Sequence, residues 1–178
     1  MILKLTDGAF QIKLGGTSAT VLETSDGPIL IDTGWRWSRK KIEIGLDSLG
    51  YSISEIHLIA LTHFHPDHIG SAKSLKKDLC SPIAAHVSDA EIMSRKKSIH
   101  SMSYSFYGKF LLNPFLNMIR GGIIDPEIVL YDKGKLPTDL HIETIHTPGH
   151  TQGSVCFFVP AKKLLIAGDA MEHRNGSL

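Results

Sequence analysis

The sequence contains little cysteine and almost no net charge. Only two of its 178 residues are cysteines, Cys80 and Cys156, which is too few for a disulfide framework, and their spacing matches no metal-binding motif. Two buried free thiols in a reducing compartment are therefore favoured over a single long-range disulfide, which the sequence leaves open. Lys and Arg number 19 against 18 Asp and Glu, and this balance gives no overall electrostatic attraction for nucleic acid.

Long apolar runs are also absent. No stretch approaches the roughly 18 uncharged residues of a membrane span, and Lys4 and Asp7 interrupt the N-terminus where a signal peptide needs an apolar run. We therefore expect a cytoplasmic protein with no membrane segment. A composition of 42% apolar and 21% charged residues excludes disorder and fibrous repeats.

The length of the chain predicts one domain over residues 1–178. Hydrophobic periodicity predicts helices over Trp35–Leu49 and Ile69–Leu79, and a capping box at Ser88–Glu91 predicts the start of a third. Strands are predicted at Ala19–Leu22, Ile29–Ile31, Ile56–Leu61, Ile83–Ala85, Leu140–Ile145, Ser154–Val159 and Lys163–Ala167. Hairpins followed by β-α units favour an α/β layered sheet.

Residues 92–124 differ in composition from the rest of the chain. These 33 residues contain no Asp or Glu, but they hold five of the thirteen aromatic residues. One interpretation is a core helix pair with a basic edge. The other is an inserted lid or pocket wall for an apolar substrate, and both stay open. Gly108 and Pro114 disfavour a membrane-surface helix.

A histidine cluster provides the clearest chemical signal. The run Thr62–His68 directly follows a predicted strand. Alternation in an extended chain places His63 and His65 on one side, while Asp67 and His68 lie where the chain turns into a helix. Three imidazoles and a carboxylate suit Zn²⁺, Fe or Mn²⁺.

Three further polar residues follow apolar strands. His150 lies in a Pro-Gly turn after Leu140–Ile145, Asp169 follows Leu165–Ala167, and Asp32 follows Ile29–Ile31. Each alone would more often be a turn or capping residue. Together with the histidine cluster they predict a crevice at one edge of a sheet.

In their order along the chain, these pieces resemble the metallo-β-lactamase superfamily. The matching motifs are Asp32-Thr33-Gly34, His63-x-His65-x-Asp67-His68, Thr147-Pro148-Gly149-His150-Thr151 and Gly168-Asp169. The resemblance implies an αββα sandwich with a pair of metal ions at its open edge. It further implies roles for seven residues at matching positions. The first metal would be held by His63, His65 and His150. The second would be held by Asp67 and His68, with Asp169 bridging the two and Asp32 supporting the ligands by hydrogen bonds.

The chain departs from the family pattern after Asp169. The family supplies a last histidine from a later strand, whereas only nine residues follow Asp169, and His173 among them does not match that position. The expected fold is therefore C-terminally short, through natural truncation, a partial chain or completion by a partner subunit, and exposed sheet surface would favour a homodimer. Five other histidines are expected to be structural: His57, His86, His100, His141 and His146.

The implied function is metal-dependent hydrolysis of a thioester, lactone or related acyl compound by a metal-bound hydroxide. Two Zn²⁺ per chain are expected if the second site is completed, Asp67 would also accept the proton of the attacking water, and the substrate would be a small apolar or acyl molecule. Two alternatives stay open. His63, His150 and Asp169 could hold a single iron, as in a persulfide dioxygenase. The chain could also bind metal without catalysis and act by association.

Overall fold

The computed structural model describes residues 1–95 and 123–171. Its larger sheet has seven strands in sequence order. They are β1 (Ile2–Thr6), β2 (Ala9–Lys13), β3 (Ser18–Leu22), β4 (Ile29–Ile31), β5 (Leu58–Ala60), β6 (Ile83–His86) and β7 (Ile128–Leu130). Short turns join β1 to β4, so these neighbours are antiparallel, whereas β4 to β7 are parallel because longer crossovers connect them.

A second sheet of three antiparallel strands covers one face of the first. Its strands are β8 (Glu143–His146), β9 (Val155–Val159) and β10 (Leu164–Ile166), with β9 in the centre. Ile29 and Leu58 of the larger sheet share a buried apolar cluster with Phe157 of the smaller one. The core between the two sheets is therefore continuous.

Among the described residues, four α-helices lie on the opposite face of the larger sheet. They are α1 (Arg39–Ser48), α2 (Pro66–Ile69), α3 (Ala72–Lys76) and α4 (Val87–Met93). Ile42 of α1 and Leu75 of α3 bury against Ile59 of β5 in a second apolar cluster. The described residues thus form a helix–sheet–sheet arrangement, and the predicted α/β class is confirmed. None of the described helices covers the outer face of the small sheet, where Ile145 and Leu165 are exposed.

Two predicted helices have different boundaries in the structure. The helix predicted from Trp35 begins at Arg39. The helix predicted over Ile69–Leu79 is shortened to α3, and a break at Gly70 and Ser71 separates α3 from α2, which ends at the predicted start, Ile69. The backbone N–H of Gly70 donates to the carbonyl of Gly34, and a Cβ on Gly70 would lie 2.3 Å from the backbone nitrogen of Arg36. This close approach of a distant loop, invisible to local periodicity, accounts for the break.

Other predicted elements also differ from the structure. Helix α4 begins at Val87, with His86 rather than Ser88 as its N-terminal cap. The strand predicted from Leu140 begins at Glu143, and β7 was not predicted. Strand β7 has only three residues, of which two are partly or fully exposed, so it carries little hydrophobic signal.

Both cysteines are free, but only one is buried. Cys156 lies inside the fold and Cys80 is exposed, so the expectation of two buried thiols was wrong for Cys80. None of the helices in residues 1–95 and 123–171 combines the length and apolarity needed to span a bilayer.

The proposed lid over 92–124 falls mostly outside the described residues, since 96–122 are not among them. Its two ends belong to the core. Ile92, Met93 and Ile124 are buried, and the backbone N–H of Ile124 donates to the carbonyl of Met93 at 3.3 Å.

Candidate metal centre

The candidate ligands converge where several strands end. Parallel neighbours β4 and β5 end side by side, and they deliver Asp32 and the Thr62–His68 run to one edge of the large sheet. The β8–β9 loop supplies His150, and a short 3₁₀ turn after β10 supplies Asp169. Residues that are far apart in the chain therefore meet at one site, as the crevice prediction requires.

Two overlapping sets of three side chains could each hold a metal ion. One is His63, His65 and His150, and the other is His63, His68 and Asp169. Within each set the potential ligand atoms lie within 4.8 Å of one another. The imidazole centroids of His65 and His150 are 4.5 Å apart, and each lies 4.8 Å from that of His63. Such convergence of nitrogen and oxygen donors suits a divalent transition metal.

Asp169 lies between the histidines of both sets. Its carboxylate oxygens are 3.2 Å from Nε2 of His68, 3.3 Å from Nε2 of His150 and 4.0 Å from Nε2 of His63. The hydrogen bond from His68, together with the neighbouring imidazoles, lowers the pKa of Asp169 to about 2 despite its partial burial. Asp169 is therefore an ionised, acceptor-only group facing three imidazoles.

His63 has a donor atom that suits an ion. Its Nε2 is buried and has no hydrogen-bond partner among the described residues, whereas its Nδ1 lies 3.0 Å from the Thr62 hydroxyl. Burial, and then the neighbouring His68 and His65, lower the pKa of His63 to about 2. A neutral imidazole with an unpaired, buried nitrogen aimed into a donor cluster fits the requirement of a metal ligand.

Asp32 fixes the orientation of the cluster from behind. It is buried and accepts hydrogen bonds from the Thr62 backbone N–H (2.8 Å), the Thr62 hydroxyl (2.7 Å) and Nδ1 of His68 (2.8 Å). Burial opposes protonation of His68, but Asp32 and Asp169 outweigh it and raise the pKa of His68 to about 10. The bond to Nδ1 turns Nε2 of His68 toward the cluster, an orientation typical of metal-bound histidines.

Asp67 lies at the margin of the cluster. One carboxylate oxygen is 3.7 Å from Nε2 of His68, and Asp67 belongs to neither set of three. With His68, His150 and Asp169 it lines a cavity of about 540 Å³. Its partly exposed carboxylate is therefore accessible to a molecule in that cavity.

Gly168 allows the Asp169 turn to approach Thr62. Its φ is +52°, and a Cβ at this position would lie 2.8 Å from both Cβ and Oγ1 of Thr62. Any other residue would combine left-handed strain with a steric overlap.

Other polar residues, which were not predicted as part of the site, lie near the candidate ligands. The sequence assigned Asp89 to a capping box, but the structure buries it completely between the loops that carry His63 and His150. The rings of His86 and His146 stack with centroids 4.0 Å apart, outside both sets of three. His57 and His141 also lie outside these sets.

Comparison with known proteins identifies relatives of the chain. A sequence profile described as "Metallo-beta-lactamase superfamily" matches residues 12–176. The human "Metallo-beta-lactamase domain-containing protein 1" is 36% identical over 75 residues, which are 38% of this chain and 28% of that protein. The human "Acyl-coenzyme A thioesterase MBLAC2" is 25% identical over 126 residues, covering 68% of this chain and 43% of the relative. The chain therefore spans less than half the length of these two curated relatives.

The fold has solved counterparts. A metallo-β-lactamase from Cronobacter sakazakii superposes with a TM-score of 0.73 at 24% identity, covering 88% of this chain and 58% of that structure. At this identity the likeness establishes the fold alone. The match of the family profile over nearly the whole sequence, with the ligand motifs gathered at the sheet edge, shows that the chain belongs to the metallo-β-lactamase superfamily.

Proposed function

We propose that this chain is a metal-dependent hydrolase of an ester-like bond, such as a thioester or a lactone. The observation that carries the proposal is the pair of overlapping donor sets that share His63, whose buried Nε2 has no hydrogen-bond partner among the described residues. Membership of the metallo-hydrolase superfamily supports the same conclusion.

The donor sets, together with the resemblance to the family, suggest which residues would hold ions. In this proposal one ion would be held by His63, His65 and His150. A second would be held by His68 together with Asp67 at the margin of the cluster, and Asp169 would be shared between the two. When bound, such ions lower the pKa of a coordinated water toward about 7 and polarise a carbonyl oxygen. Zn²⁺ is the proposed metal, although this mixture of imidazole and carboxylate would also accept Fe or Mn²⁺.

The protein side chains orient the reactants around these ions. Asp67 is the proposed acceptor for the proton of the attacking water, because its carboxylate lines the cavity and is partly exposed. Asp32 keeps His68 in one orientation through the bond to Nδ1. The role of Asp67 is thus chemical, and that of Asp32 is to position a ligand.

The cavity supports a small-molecule substrate. Its volume of about 540 Å³ lies within the usual range of ligand pockets. Both polar and apolar side chains, such as Gln11, Thr20 and Leu165, line its walls. An acyl compound presents a matching mixture of an apolar chain and a polar carbonyl. The relative named an acyl-coenzyme A thioesterase favours thioesters among such compounds.

Metal content and hydrolysis together test the proposal. We expect purified protein to bind stoichiometric metal and to hydrolyse members of a panel of acyl thioesters and lactones. His63→Ala should abolish both properties. His141→Ala removes an exposed histidine outside the donor sets and should change neither. Metal-loaded protein that hydrolyses no panel member, or turnover that survives His63→Ala, would refute the hydrolase proposal.

A second candidate is a mononuclear iron enzyme that oxidises persulfides. It is favoured by the position of the Asp169 carboxylate, 3.3 Å from His150 and 4.0 Å from His63, since two histidines and one carboxylate suit Fe(II). Oxygen uptake with a thiol persulfide, in iron-loaded protein without thioesterase activity, would favour this function. Metal binding without either activity would favour a role in association. Cytoplasmic location and homodimerisation stay predictions, and sedimentation velocity would test the latter.

A further inference from the structure

A buried carboxylate on α4 joins the two loops that carry the candidate ligands. Asp89 is 0% exposed. Its Oδ2 accepts hydrogen bonds from the backbone N–H of Phe64 at 2.9 Å and from the hydroxyl of Thr151 at 2.8 Å. Its Oδ1 accepts from the backbone N–H of Gly153 at 2.8 Å. One side chain therefore satisfies three donors on two loops that are distant in sequence.

The donors are adjacent to the candidate ligands. Phe64 lies between His63 and His65, and Thr151 directly follows His150. The three imidazoles of one donor set are thus attached to the same carboxylate through their neighbouring residues. A shift of Asp89 would change the spacing between His150 and the other two histidines.

The arrangement around Asp89 is tightly packed. A Cβ on Gly153 would lie 2.4 Å from Oδ1 of Asp89, so the loop can approach the carboxylate only with glycine at this position. Thr151 is held from a second direction, because its backbone N–H donates to the Ser154 hydroxyl at 2.9 Å. Little freedom remains for the loop that follows His150.

The hydrogen-bonding pattern requires a group that only accepts. All three partners act as donors to Asp89, and an ionised carboxylate can accept from each of them. Burial raises the pKa of Asp89, while the hydrogen bonds from Thr151, Phe64 and Gly153 oppose that rise. An amide would replace one acceptor oxygen by an NH₂ group facing another donor.

We propose that Asp89 is a positioning residue that sets the spacing between the His63–His65 loop and His150, and thereby the metal affinity of the site. This inference rests on the proposed function, because it assumes that these histidines bind an ion. It assigns Asp89 an effect that is transmitted through Phe64, Thr151 and Gly153.

Cobalt binding provides the test. Co²⁺ affinity is measured by chelator competition, the geometry of the site by the visible absorption of bound Co²⁺, and the stability of the metal-free protein by urea unfolding. Asp89→Asn should weaken Co²⁺ binding about 10- to 100-fold and alter the absorption spectrum, the range found when hydrogen-bond partners of metal ligands are removed. Thr151→Val should weaken binding less, because two backbone donors remain. Thr151→Ser, which retains the hydroxyl, should restore the affinity.

Asp139 offers a matched control. It is an exposed carboxylate that also bridges distant segments, since it accepts from the backbone N–H and the hydroxyl of Ser25 at 3.1 and 2.7 Å. Asp139→Asn should leave the affinity and spectrum of bound Co²⁺ unchanged. Loss of stability alone would lower the urea midpoint of Asp89→Asn without changing the affinity or the spectrum of Co²⁺ bound to the folded protein.

The outcomes separate the inference from the proposed function. Failure of the unmodified chain to bind Co²⁺ would refute the proposed function and the inference with it. Normal binding that Thr151→Val and a folded Asp89→Asn leave unchanged would refute the inference alone. If Asp89→Asn does not fold, the comparison of Thr151→Val with Thr151→Ser decides: equal affinities refute the inference, and weaker binding by the valine variant supports it.

Discussion

Replacement of Gly168 by alanine should damage the metal centre more than it damages the fold. Two effects combine at this position. The φ of +52° is unfavourable for any residue with a Cβ, and the added methyl would lie 2.8 Å from Thr62. Relief of that overlap requires movement of Thr62, which precedes His63, or of the turn that carries Asp169.

Backbone strain and steric overlap each contribute to the loss of stability. Left-handed backbone costs an alanine about 1 kcal/mol relative to glycine. Overlap with a well-packed neighbour adds roughly 1–3 kcal/mol. We therefore expect Gly168→Ala to lower the free energy of unfolding of the metal-free protein by about 3 kcal/mol.

Gly50 provides the control for backbone strain. Its φ is +86°, but a Cβ at this position would meet no atom within 4 Å. Gly50→Ala should cost only about 1 kcal/mol and should leave metal binding intact. Urea unfolding in the presence of a chelator measures both costs, and metal content per chain measures the effect on the site.

Equal destabilisation in the two variants, together with full metal content in Gly168→Ala, would contradict this prediction. That result would mean that the turn carrying Asp169 tolerates a side chain beside Thr62. The close approach at Gly168 would then have no role in forming the site.

Three further predictions concern other parts of the molecule. Asp32→Ala should lower the free energy of unfolding by about 3–5 kcal/mol, because it leaves the buried donors of Thr62 and the charge of His68 without their partner. A loss below about 1 kcal/mol in urea unfolding would contradict this prediction. Burial, and then the stacked His146, lower the pKa of His86 below its usual value of about 6.5. Folding therefore favours the neutral form of His86. Its contribution to the free energy of unfolding is complete above pH 6.5 and decreases as the pH falls below that value. His86→Asn should flatten this dependence in unfolding titrations of metal-free protein between pH 7 and 5, and an unchanged slope would disprove it. Exposed Cys80 should react with a thiol reagent in the native protein, whereas buried Cys156 should react only after unfolding; equal native rates would contradict the burial.

The meeting of Asp32 with the Thr62–His68 run could be predicted, because both come after apolar strands. Strand ends carry their own local signal, and Asp32, His150 and Asp169 all lie just beyond such runs. Strands β4 and β5 are parallel neighbours, so they end at the same edge of the large sheet. His150 and Asp169 come from the antiparallel small sheet, and only the resemblance to the family implied that they join the same site.

The contacts that shape the site could not be predicted in the same way. Asp89 lies in a segment that reads as a capping box, and its partners Phe64 and Gly153 are 25 and 64 positions away. Only the packing of α4 against both loops reveals its role. The break at Gly70 has a similar cause, because the loop that contacts it begins at Gly34. The local sequence pattern indicates individual helices and strands, whereas the contacts of Asp89 and Gly70 depend on how helices and loops pack against each other.

The wide separation of the ligands along the chain has a consequence for biosynthesis. During translation His63 and His65 emerge early. His150 emerges later, with the β8–β9 loop, and Asp169 emerges only after β10 has been made. A nascent chain can therefore offer an ion only part of its donor set until the smaller sheet has docked. Capture of an ion by the full set of candidate donors would then follow the docking of the smaller sheet rather than precede it.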